Sequence, residues 1–70
     1  MKASAPDLLR EAVREQHPNE TFEKALGRIV RNHHGAFEDY VGLIARVRRR
    51  ARGDKSSLAA AASALADEGP

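Results

Sequence analysis

Cysteine and tryptophan are absent from this chain, and its aromatic residues are few: two phenylalanines and one tyrosine. Without cysteine there is neither a disulfide scaffold nor a thiolate metal site. No stretch approaches the ~20 consecutive apolar residues of a spanning helix. The opening Met1-Lys2-Ala3-Ser4-Ala5-Pro6 has no apolar run after its lysine, so no secretory leader is expected. These features lead us to expect a soluble, cytoplasmic protein.

Chemistry is equally thin. Gly27, Gly35, Gly42 and Gly53 are isolated from one another, so no glycine-rich phosphate loop exists among them. Ser56, Ser57 and Ser63 have no histidine near them in sequence, and they suit helix caps or small fillers better than nucleophiles. His33 and His34 are adjacent, so on a helix they point about 100° apart and do not share an ion. His34 and Glu38 are four apart, but Gly35 between them interrupts the helix. His17 precedes a proline in a turn, and His33 falls on an apolar stripe, where a core-edge histidine is the ordinary reading. Acid–base catalysis needs groups held in a concave, water-poor pocket, which four short helices with three aromatic rings hardly enclose. No catalytic activity, no metal and no cofactor are therefore expected.

What is present is helix. Seventy residues make one small domain at most, and four segments are marked by their punctuation. The first, about 5–16, opens on Ser4 with Pro6 and Asp7 in its first turn, carries Leu8, Leu9, Ala12 and Val13, and ends at His17-Pro18. The second, about 20–33, lines up Phe22, Ala25, Leu26, Ile29, Val30 and His33, with Gly35 as its expected left-handed stop. The third, about 36–52, is the most strongly patterned. Phe37, Tyr40, Val41, Ile44, Val47 and Ala51 are expected to line its core face, Leu43 widens that face, and Gly53 terminates it. The fourth, about 55–67, contains Ala59-Ala60-Ala61-Ala62, Ala64 and Ala66, with only Leu58 and Leu65 as large anchors. Its helix propensity is high and its grip on a core thin, so loose docking, weak protection and a small loss of stability on deleting 56–70 are expected. No alternating strand pattern competes, and the fold class expected is an all-α bundle of three to four short helices.

The net charge of +2 conceals an uneven distribution. Residues 1–45 hold six basic and seven acidic side chains. Residues 46–55 hold Arg46, Arg48, Arg49, Arg50, Arg52 and Lys55 against Asp54 alone, a local +5. Such a cluster can neutralise several phosphates in a salt-dependent way. Cations at a helix end also complement its dipole, as Glu38 and Asp39 do at the start. A base-reading helix-turn-helix in the second and third segments is disfavoured. Arg31 stands where close helix crossing wants a small residue. Glu38 and Asp39 occupy the end of the helix that would meet bases, and the positive charge lies at the other end.

Gly42 sits mid-helix, where glycine costs about 1 kcal/mol against alanine. Close approach of another helix would explain it, with Ala45 one turn on and the small-residue fourth helix (Leu58, Ala62, Leu65) as further packing or interface candidates. A core this sparse makes partnering an expectation in itself. Two functions are thus left open. One is a helical interaction module that binds itself or another protein. The other is a polyanion-binding protein that contacts nucleic-acid backbone through Arg46, Arg48, Arg49, Arg50, Arg52 and Lys55 without reading sequence.

Overall fold

The first two helices each open on a hydroxyl cap, and the second and third are each followed by a left-handed residue. The computed structural model describes residues 4–68; the side chain of Lys55 lies outside what it describes. Four helices follow in order: α1 (Ala5–Glu15), α2 (Phe22–Asn32), α3 (Phe37–Ala51) and α4 (Leu58–Asp67), the last entered through one 3-10 turn at Lys55–Ser57. No strand occurs among the described residues. The chain is an all-helical bundle. Among the described residues, no helix is long and apolar enough to cross a membrane.

Ser4 Oγ accepts from the Asp7 N–H at 3.3 Å, and Thr21 Oγ1 from the Lys24 N–H at 3.2 Å, capping α1 and α2. The left-handed residue after α2 is His34 (φ 57), not Gly35 as the sequence suggests. The His34 and Gly35 N–H groups donate back to the Arg31 and Val30 carbonyls at 3.0 and 2.9 Å, closing the helix end. Gly35 is required for a different reason: a Cβ there would stand 2.7 Å from Val30 Cγ1. The end of α3 repeats the pattern, with Arg52 at φ 55 and Gly53 at φ 82.

The helices form a ring of neighbours in which α1 packs on α2, α2 on α3, α3 on α4 and α4 back on α1. Leu26, Ile29 and Val47 are the largest side chains sealed completely inside. Around them lie Leu9, Phe22, Val30, Leu43, Ile44 and Leu58, with Ala12, Ala25, Ala61, Ala62 and Ala66 filling the crossings. Leu8, Val13, Tyr40 and Leu65 are half-buried against this cluster.

The fourth helix corrects the expectation of a thin grip. It lies across both α1 and α3 and buries Leu58, Ala61, Ala62 and Ala66. Alanine brings the backbones close, so a helix with two leucines gains contact through its main chain and methyl groups. Arg10 strengthens the seam by donating to the Ala66 carbonyl at 3.0 Å, one of the carbonyls that a helix end leaves unpaired.

The α1–α2 corner is held by charge. The Arg28 guanidinium donates to both Glu20 oxygens, at 3.0 and 3.3 Å, and to the Glu15 carbonyl at 2.9 Å. The Glu20 carboxylate also accepts from the His17 N–H at 3.1 Å. Arg28 above all, then the His17 N–H, lower the Glu20 carboxyl from 4.5 to about 2. On the same side of the bundle, His33 Nε2 meets Glu11 at 3.0 Å, tying the end of α2 to α1.

Two outcomes follow from this packing. Leu58→Ala should lower the unfolding free energy in urea by about 2–5 kcal/mol, and the α4 amides should exchange as slowly as those around Ile44. Fast exchange of α4 with a near-neutral Leu58→Ala would mean that this helix does not stay docked. The second outcome concerns acid. Because the folded-state value of Glu20 is depressed, its contribution is fully present above pH 4.5 and disappears as pH falls through about 2. Glu20→Gln should flatten that part of the stability–pH profile, as read by circular dichroism in urea. An unchanged profile would mean the Glu20–Arg28 pair does not hold the corner.

Candidate interaction surface

The third helix carries most of the residues singled out in the sequence, and its rotation decides which of them face outward. Successive residues advance about 100° around a helix. Leu43, Ile44, Val47 and Ala51 occupy one inward arc and are buried, with Tyr40 half-buried beside them. Because α3 is gripped by α4 on one flank and α2 on the other, the buried arc swings toward Leu43 and Val47. Phe37 and Val41, on the α2-side edge, then emerge.

Phe37 is 75 % exposed and Val41 44 %. This corrects the core face expected from the sequence, which included both. Ala45 continues the line one turn further and is also exposed. The Phe37 ring leans on Tyr40 with centroids 5.8 Å apart. The Tyr40 ring in turn lies over the α2 backbone at Gly27, where a Cβ would meet it at 3.6 Å. Beside these rings runs an open groove of about 810 Å³, bordered by Lys24, Gly27 and Arg31 on the α2 side. A smaller hollow of about 400 Å³ lies on the other side of α3, bordered by Leu8, His33, Glu38, Gly42 and Arg46.

The arginine cluster divides in two. Arg48 reaches across to Glu23 on α2, and Arg50 pairs with Glu68 beyond α4 at 2.7 Å. These two staple α3 to its neighbours. Arg46, Arg49 and Arg52 are exposed and make no ion pair among the described residues. Lys55, the sixth member named from the sequence, has its side chain outside the described residues. Among the described residues, the unpaired positive charge at this end of α3 is therefore three guanidiniums, spaced three residues apart.

The packing candidates divide as well. Leu58 and Ala62 are buried within the bundle and Leu65 is half-buried against it, so they face the chain's own helices. Gly42 and Ala45 are exposed. A Cβ at Gly42 would meet nothing within 4 Å, so no helix of this chain explains the glycine. Sequence reasoning missed Phe37 and Val41 as surface residues, although a signal was there. Leu43 and Phe37–Val41 together span an apolar arc of about 160°, wider than the roughly 100° a core-facing stripe needs. Some of it had to face out.

Elsewhere the polar groups serve the fold. Asp54 Oδ1 accepts from the Ser56 N–H at 3.0 Å and hydroxyl at 2.7 Å. Those two bonds hold its carboxyl below the usual carboxylate range. Ser57 Oγ donates to the Asp54 carbonyl at 3.0 Å. Among the described residues no three His, Asp or Glu side chains gather into an ion-binding group. No family model, no curated protein and no solved structure matches the chain.

Proposed function

We propose that this chain is a small helical interaction module that docks on another protein surface through the outward face of α3. The observation that carries this reading is Phe37, three-quarters exposed on a helix whose other large apolar residues except Val41 are covered. Burying a phenylalanine side chain is worth roughly 2–3 kcal/mol, so leaving one out on a rigid helix forgoes a large part of a small domain's stability. Phe37, Val41 and Ala45 at four-residue spacing give a helical contact line, and the small Ala45 admits close approach. Binding, and no chemistry, is the role assigned.

The test separates docking from folding. Phe37→Ser should leave the unfolding free energy nearly unchanged, within about 0.5 kcal/mol, because the ring is already in water. It should abolish association with self or with a partner, followed by sedimentation and by pull-down at matched concentration. A large loss of stability would place Phe37 in the fold, and unaltered association would remove α3 as the docking face.

A second reading is favoured by the three unpaired arginines: backbone contact with nucleic acid, indifferent to sequence. Each phosphate neutralised contributes a slope of about −0.9 to log K against log salt. Full use of Arg46, Arg49 and Arg52 then gives a slope of about −3. Changing these three to glutamine should abolish binding to labelled duplex and single strand while preserving the fold, since Arg48 and Arg50 keep their pairs with Glu23 and Glu68. Absence of binding by the unaltered chain at low salt would sink this reading.

A further inference from the structure

We infer that the surface covering Phe37, Val41 and Ala45 is the same helix of a second copy of this chain, laid antiparallel across a two-fold axis beside Leu43; this rests on the reading of α3 as a docking face. Charge and shape are distributed unevenly along α3. Its outward face is acidic at the start, where Glu38 is exposed, apolar in the middle, and basic at the end, where Arg48, Arg49 and Arg52 stand. A parallel pairing of two such helices would set arginine against arginine. An antiparallel pairing sets each acidic end against a basic end.

The angular positions agree as well. A two-fold perpendicular to a pair of antiparallel helices keeps a residue on its own side of the contact and reverses its height. Complementary groups must therefore share an edge and lie equally far from the midpoint. Glu38 and Arg49 are separated by eleven residues, which brings them to within about 20° of one another around the helix. Phe37 and Arg48 have the same separation and share the opposite edge. Both pairs are centred within half a residue of Leu43, and Val41 and Ala45 flank it symmetrically. Glu38 of one copy thus meets Arg49 of the other. Phe37 meets the half-exposed guanidinium of Arg48, which its own Glu23 holds in place, as a ring meets a cation. Val41 packs on Ala45, whose small side chain lets the backbones come close.

The contact is small. Two 15-residue helices alone bury less than the ~1,200 Å² of standard interfaces, so association belongs to the weak end of the range. Sedimentation velocity is therefore run from about 10 µM to about 1 mM. The unaltered chain should pass from monomer to dimer. Arg49→Glu and Glu38→Arg should each weaken the dimer about ten-fold or more, by creating two like-charge contacts per dimer. The double exchange Glu38→Arg with Arg49→Glu should restore it. In the Arg49→Lys variant, a carbodiimide should join Glu38 to position 49. Those positions are about 16 Å apart along one helix, so the bond can form only between copies.

A monomer throughout the range, a dimer indifferent to single charge changes, or failure of the double exchange to restore it would each overturn the second-copy assignment. A photo-crosslinking residue in place of Ala45, used in the producing cells, separates this from failure of the docking reading. An adduct of twice the chain mass supports the second copy. An adduct of another mass overturns it and leaves α3 as a docking face, and no adduct with a monomer in solution overturns both.

Discussion

Four helices of 10 to 15 residues cover one another only if their axes come close, and alanine is what brings them close. Ala12, Ala25, Ala62 and Ala66 are completely inaccessible. They stand at the crossings, where a larger side chain would push the backbones apart and open gaps around Leu26, Ile29 and Val47. Everything else is arranged around that spacing. Because α4 seats itself through methyl groups, it lies on α1 and α3 together. Because α4 claims one flank of α3, that helix turns Leu43 and Val47 inward and Phe37 and Val41 outward. The exposed ring on α3 is thus a consequence of alanine on α4, a helix away.

The helices and their order are legible in the chain because capping residues, glycines and apolar spacing agree with one another. Ser4 and Thr21 cap where their side chains suggest, and Gly53 follows α3 at positive φ, one residue after the left-handed Arg52. The rest depends on which helix lies against which, and a one-dimensional pattern does not contain that. The Ala-rich segment reads as weakly anchored when burial is counted by large side chains, whereas its contribution comes from proximity. The apolar arc of α3 reads as one core face when its width is ignored. Gly35 reads as a left-handed residue, but the residue in that conformation is His34, and the glycine is there to make room for Val30. In each case the residue was identified and its physical reason was another.

The arginines show the same separation between composition and arrangement. A run of five guanidiniums in seven positions suggests one patch, yet a helix distributes seven positions all around its axis. Arg48 falls on the α2 side and finds Glu23. Arg50 falls on the α4 side and finds Glu68. These exposed pairs contribute little to stability individually, but each fixes the direction of a side chain that would otherwise be free. What remains for a polyanion is Arg46, Arg49 and Arg52, spread along the helix end. Neither functional reading excludes the other, since the proposed dimer leaves Arg46 of both copies outside the contact.

A helix with carboxylates in its first turn and cations in its last suits its own dipole. Glu38 and Asp39 open α3, and Arg48, Arg49 and Arg50 close it. The same polarity makes any such helix electrostatically complementary to a reversed copy of itself, so charge alone does not distinguish α3 from a great many solvated helices. The distinction lies in what stands between the charges. A solvated helix has polar residues along the middle of its outward face, where α3 has Val41, Gly42 and Ala45, with Phe37 at one end. In the proposed dimer, charge sets the direction in which two copies approach and disfavours a parallel pairing. There the apolar centre supplies the reason to stay, and the small side chain of Ala45 lets the two backbones come close.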